Sequence, residues 1–70
     1  GYHRLNLSDL ELFLAPDWFI RCHRSYIVNI DYIDEIQPDS HSTFLLIMKD
    51  GTRIPVSQRY ASYFRRSLGF

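Results

Sequence analysis

The sequence predicts a small, mainly β domain of short antiparallel strands, with one short helix near the N-terminus and a second at the C-terminus. Three observations carry that prediction. Aromatic and β-branched residues gather in short runs at residues 19–22, 26–28 and 44–48, a composition that suits half-buried pleated strands. Asp50-Gly51 separates the last of these runs from TRIPV, and Gly tolerates the positive φ that a hairpin turn requires. Tyr60, Phe64 and Leu68 then recur at i+4, the spacing of one apolar helical stripe.

The first helix is expected to start at Ser8-Asp9-Leu10-Glu11, where Ser and Glu three apart can form a capping box, with Leu7 and Leu12 as a hydrophobic staple. Leu10, Phe13 and Leu14 would share one face and close a lid over a sheet, and Pro16 stops the helix after Ala15. Two strands follow at residues 19–22 and 26–28, with the polar His23-Arg24-Ser25 between them as a turn. Ile30, Ile33 and Ile36 continue as a short irregular segment and a strand, closed by the loop QPDSHS. Residues 44–48 form the clearest strand, and residues 52–56 return antiparallel to it. Pro55 has no N–H for a ladder, which makes its strand an edge. Ser57 offers a cap for the last helix, Arg59 lies in or just before its first turn, and Arg65 and Arg66 fall off the apolar stripe.

A chain of 70 residues with 46% hydrophobic content is one domain, and domains this small bury only roughly 60% of the surface their unfolded chains expose. Five Tyr, five Phe and one Trp offset the thin core with large plates. No apolar run approaches the roughly 20 residues that span a bilayer, and the opening GYHRLNLSD lacks the pattern of a secretory signal. A single cysteine closes no internal disulfide. Together these features predict a soluble protein of a reducing compartment, the cytoplasm, with no membrane partner.

Eight basic and eight acidic residues cancel, yet they are unevenly spread. Asp31, Asp34, Glu35, Asp39 and Asp50 face Lys49 alone in residues 31–50, whereas Arg53, Arg59, Arg65 and Arg66 follow without a carboxylate, and Arg21 and Arg24 stand in a second basic block. If the two blocks meet in space, they form a cationic face of the kind that binds phosphate.

Several catalytic or metal-binding chemistries find little support. Cys22 and His23 are adjacent, but strand neighbours point to opposite faces and no third orienting group is identifiable, so no catalytic residue is assigned. A Cys22 redox switch stays open, because Arg21, His23 and Arg24 would favour the thiolate if it were exposed. His3, Cys22, His23 and His41 lack the paired spacing of zinc sites, the carboxylates lack the EF-hand rhythm, and the three glycines form no phosphate loop. No metal, cofactor or small-molecule substrate is expected. Arg24 and Arg59 carry the sharper reading. Composition alone favours ordinary surface arginines, but each sits in a connection from which a guanidinium can reach a guanine edge with two parallel hydrogen bonds. Ser25, Tyr26 and Asn29 could donate to phosphates, or equally serve as a cap, a core ring and a turn residue.

The stretches FIRCHRSYIVNIDYI and DGTRIPVSQRYASYF resemble the LytTR family, the DNA-binding output domain of bacterial response regulators. The resemblance covers about residues 5–68. It implies an elongated stack of small antiparallel sheets whose edge loops, in place of a recognition helix, enter successive major grooves of double-stranded DNA. It also implies binding to paired repeats as a homodimer. Carried over by position, it makes Arg24 and Arg59 base readers. His23, Ser25, Tyr26, Asn29, Ser57, Arg65 and Arg66 become backbone contacts or loop support. Residues 1–70 then read as one LytTR-like domain lacking the family's N-terminal strands. A protein-interaction module using the aromatics and the edge strand near Pro55 is the alternative from another class.

Overall fold

Local chemistry sets the elements, which a computed structural model describes for residues 6–69. The first helix, α1 (Leu7–Glu11), is capped by Asn6, whose Oδ1 accepts from the Asp9 N–H at 2.8 Å. Ser8 is therefore not the cap, and the expected capping box and Leu7–Leu12 staple do not form. The helix ends at Leu12 without reaching Ala15, and its intended lid is open: Leu12 is 83% and Phe13 77% exposed. An amide cap two residues earlier outcompetes the hydroxyl because Ser8 Oγ is taken by Arg21.

Strands β1 (Phe19–His23) and β2 (Tyr26–Asn29) form a two-stranded antiparallel sheet. Its register runs from Phe19 opposite Asn29 to His23 opposite Tyr26, so the turn is only Arg24-Ser25. The register slips between Arg21 and His23, which leaves Cys22 as an extra, unpaired residue. Such a bulge re-aims side chains, and here Ile20, Arg21 and Cys22 are all buried. A 3-10 turn (Ile30–Tyr32), capped by the Asn29 side chain, leads into the second sheet.

That sheet has the order β3 (Ile33–Asp39), β4 (Thr43–Met48) and β5 (Arg53–Val56), all antiparallel. Gln37, Pro38 and Asp39, expected in a loop, extend β3 because they keep pairing with Leu45, Phe44 and Thr43. Pro38 and Pro55 both lie on edge strands, where a missing N–H costs the ladder nothing. The β4–β5 connection closes with Met48 N–H to Thr52 O at 2.8 Å and Gly51 N–H to Met48 O at 2.9 Å. Gly51 takes φ 89°, the left-handed step that makes a three-residue loop of the Asp-Gly signal. Asp50 Oδ1 accepts from Thr52 N–H, and hydrogen bonding from the Thr52 side chain, then from its backbone, holds the Asp50 carboxyl below the usual range.

Cross-strand pairing decides which side of the second sheet faces inward. Ile36, Leu46 and Ile54 stand opposite one another, as do Pro38, Phe44 and Val56, and residues directly opposite share a face. Onto that face packs α2 (Gln58–Leu68), burying Ala61 and Phe64, with the Phe64 ring 6.2 Å from that of Phe44. Ser57 occupies the cap position without a side-chain cap bond, so it caps by position and not by its hydroxyl. Its N–H instead donates to Cys22 O at 2.9 Å, stitching the end of β5 to β1 and so one sheet to the other. The core is Ile20, Cys22, Val28, Leu46, Val56, Ala61 and Phe64, in a domain with extents of 43 × 25 × 20 Å. Elongation from stacked small sheets agrees with the expected architecture.

Cys22 is fully buried, and burial pushes its thiol from 9.0 up to about 11. That removes both the exposure and the thiolate a redox switch would need. Because the folded value is raised, this group's stabilisation is complete below about pH 9 and fades as pH climbs toward about 11. Over that window the loss should be on the order of 2 kcal/mol, seen as a steeper alkaline decline in urea midpoint for the native chain than for Cys22→Ala. In the folded state at neutral pH the thiol should resist a mild disulfide probe; rapid labelling would contradict the packing. Leu46→Ala should cost ~2–5 kcal/mol, whereas Leu12→Ala should change stability by less than ~0.5 kcal/mol, both read from urea unfolding followed by far-UV circular dichroism.

Candidate nucleic-acid interface

A buried arginine builds this end of the molecule. Arg21 is only 8% exposed, so it does not join Arg24 in the solvent-facing basic block that the sequence pattern predicts. Its Nε donates to His23 O at 3.2 Å and its Nη2 to Arg24 O at 2.8 Å. Its Nη1 donates to Ser8 Oγ at 2.8 Å and to Glu11 Oε1 at 3.4 Å. Four of the five guanidinium N–H groups are thus occupied, two of them on consecutive carbonyls of the β1–β2 turn. Arg21–Glu11 is the single ion pair among the described residues.

The turn is also held from its other side. His23 Nδ1 accepts from the Ser25 N–H at 3.0 Å, and the His23 ring lies 5.0 Å from that of Tyr26. With its backbone fixed on both flanks, Arg24 projects an exposed side chain that has no carboxylate partner among the described residues. His23, Ser25 and Tyr26 therefore belong to one small unit whose shape they set.

Arg59 reaches the same end by a different route. It lies at the second position of α2, inside the helix and not in the connection before it. Its Cζ stands 5.9 Å from the centroid of the Tyr60 ring, and the Cζ of Arg21 stands 5.6 Å from that same centroid. One tyrosine thus has two guanidinium groups within cation–π range. Since Arg21 also holds the Arg24 carbonyl, the Arg24 turn and the start of α2 are neighbours, joined through Arg21 and Tyr60. Ser57, at the same helix start, has its hydroxyl free of capping duty.

The remaining candidates separate. Arg66 follows Arg59 by seven positions and shares its strip of α2, but Arg65 is rotated from Arg59 by roughly 120°. Both sit in the last turn, where cations complement the helix dipole. Asn29 lies at the opposite end of β2 from the turn, and its Oδ1 accepts from Asp31 N–H at 3.0 Å. Its structural duty is plain, and the structure does not bring it to the Arg24 unit. His3 lies outside the described residues, while Cys22, His23 and His41 form no shared cluster. Among the described residues no group of three His, Cys, Asp or Glu could hold a metal, and no helix is long and apolar enough to cross a membrane. Sequence reasoning missed Arg21 as the organiser of the turn. Its signal was present in two arginines three apart, but not which of them the bulge would bury.

Comparison with known proteins gives one consistent result. Residues 1–69 match the LytTr DNA-binding domain family. The chain is 49% identical to the sensory transduction protein LytT of Bacillus subtilis, over 94% of this chain and 29% of that protein. It is 36% identical to the transcriptional regulatory protein LytR of Staphylococcus aureus, over 90% of this chain and 26% of that protein. It therefore spans less than a third of the length of these relatives. A solved LytTr DNA-binding domain of a methyl-accepting/DNA response regulator from Bacillus cereus superposes with a TM-score of 0.92 at 60% identity, covering all of this chain and 64% of that one.

Proposed function

The chain belongs to the LytTR family of DNA-binding domains, and from that premise we propose that it serves as the output domain of a bacterial transcriptional response regulator, reading major-groove bases through Arg24 and Arg59. The observation that carries the reading is the contrast between a backbone held by Arg21 and His23 and an Arg24 side chain left unpaired in solvent. Preorganised backbone with a free planar fork is what bidentate recognition of a guanine edge requires. Arg59 adds a second fork at a helix start with no acidic residue in its first turn, where backbone N–H groups and the Ser57 hydroxyl favour an anion.

The two kinds of contact divide the work. Arg66, on the Arg59 strip of α2, with Ser25, Tyr26 and Ser57 at the rim, acts on phosphates and holds register, with Arg65 adding longer-range attraction from the neighbouring face; Arg24 and Arg59 choose bases. Phosphate neutralisation releases counterions, so affinity falls with salt at a slope set by the number of phosphates met. Residues 1–70 act as one DNA-binding unit within a longer regulator, without catalysis, cofactor or small-molecule substrate. Two copies dock as a homodimer on paired repeats, in the cytoplasm where bacterial DNA lies.

One observation favours a second reading, a protein-interaction module: Leu12, Phe13 and Trp18, all in the segment between α1 and β1, are exposed. Salt separates the two readings, since docking through those apolar side chains depends little on ionic strength. Binding to a duplex selected from a random pool should weaken steeply between low and physiological salt. Arg24→Ala and Arg59→Ala should each cost ~1–3 kcal/mol and relax preference at a single base position. Arg66→Ala should weaken all duplexes alike and reduce the salt slope by about one. Gel shifts on selected and scrambled sites check this; identical behaviour of the three variants would refute the division of roles.

A further inference from the structure

We propose that Arg21 is a positioning residue for DNA sequence choice, acting from inside the fold without touching the duplex; this rests on the DNA-reading role of Arg24 and Arg59. The argument begins with its bonds. A side chain 8% exposed grips the carbonyls of both His23 and Arg24, the two residues that lead into and open the turn. The plane of one guanidinium thereby sets the direction in which the Arg24 side chain leaves the backbone. The same group lies within 5.6 Å of the Tyr60 ring, which Arg59 also overlies, so it fixes the spacing between the two proposed readers. Two further donors, both on Nη1, are tied to Ser8 and Glu11 of α1, which makes α1 the outer jaw of the clamp.

Lysine cannot reproduce this arrangement. An ammonium keeps the charge and much of the length, but it has no planar fork to span two carbonyls while reaching a hydroxyl and a carboxylate beyond them. Arg21→Lys therefore tests geometry at constant charge. A residue that only stabilised the fold would, when weakened, lower affinity for every duplex in the same proportion. A positioning residue lowers the ratio of selected to scrambled binding, leaves the salt slope alone, and loses its effect once the side chain it positions is gone.

The experiment is a mutant cycle on this chain with a duplex selected from a random pool and its scrambled counterpart, measured at several salt concentrations beside thermal unfolding of each variant. Arg21→Lys should reduce the selected-to-scrambled ratio roughly tenfold with an unchanged slope, and should cost less than about twofold more when added to Arg24→Ala. Independent, multiplying effects of the two substitutions, or a ratio untouched by Arg21→Lys, would overturn the proposal. Should Arg21→Lys unfold at the assay temperature, Glu11→Gln decides. It strips the charge from a half-exposed partner and leaves the fold standing, so a fall of about threefold in the ratio supports the clamp and an unchanged ratio overturns it. A native chain that binds selected and scrambled duplexes equally sinks the DNA-reading premise and this proposal together. A preference lost in Arg24→Ala but kept in both Arg21→Lys and Glu11→Gln sinks only the positioning role.

Discussion

The constraint on which the rest of the molecule depends is the burial of a guanidinium in a domain too small to hide one easily. Taking a cation out of water is costly unless its donors are met. Arg21 meets that condition by drawing acceptors from two parts of the chain: a hydroxyl and a carboxylate from α1, and two carbonyls from the β1–β2 turn. Each acceptor is thereby fixed relative to the others. The short helix has little apolar anchorage of its own, since its residues include none that is buried, and its Ser8 and Glu11 contacts to Arg21 are a principal tie to the sheet. The turn, similarly, takes its shape from bonds that arrive from beneath it.

Cover on both sides of β1 makes this burial possible. In a regular strand alternate residues face opposite sides, and one side of a two-stranded sheet would meet water. Here β1 lies between layers. Ile20 and Cys22 enter the core beside Val56, Ala61 and Phe64, while Arg21 turns toward α1 and the Tyr60 ring. The extra residue also advances His23 by one position, so that it pairs with Tyr26 and leaves a two-residue turn. The hydrogen bond from Ser57 to the Cys22 carbonyl then joins the bulge to the start of α2. Bulge, buried cation and helix start form one mechanical unit, with Arg24 and Arg59 at its surface.

Much of this was legible in the sequence where a single residue's chemistry is decisive. Gly51 marked the hairpin because the turn needs positive φ, and Tyr60, Phe64 and Leu68 marked the inner stripe of α2 because helical spacing is fixed. His23-Arg24-Ser25 marked the turn. Where two residues could play one part, the sequence alone did not choose. Asn6 and Ser8 are both good caps, and the choice between them was made by Arg21, fifteen and thirteen positions away, through its hold on Ser8. The run TFLLIM has no alternation, so its inward face follows from pairing with β3 and β5 and not from its own pattern. Arg21 and Arg24 look equivalent in one dimension; only the unpaired Cys22 between Arg21 and the turn separates a buried clamp from an exposed fork.

Zero net charge is no obstacle to a polyanion when the two signs are separated, and the sheet order separates them. Asp34, Glu35 and Asp39 belong to β3, one edge of the second sheet, whereas Arg53 belongs to β5, the other edge, and the chain runs from there directly into the arginines of α2. The two edges stand two strand spacings apart, about 9.5 Å, which already exceeds the screening length of ~8 Å at physiological salt. A phosphate approaching the arginine side therefore meets the near charges at close to full strength and the carboxylates much weakened. The positions of those arginines are also unequal in what folding asks of them. Arg65 and Arg66 occupy the helix end where the dipole welcomes a cation, so folding does not oppose them there. Arg59 occupies the opposite end, where the dipole opposes a cation by a few tenths of a kcal/mol to ~1, with no acidic residue in that first turn to compensate it. An arginine at a site that helix electrostatics disfavours, stacked over Tyr60 beside the clamped turn, is better accounted for by an anionic partner than by the stability of the domain.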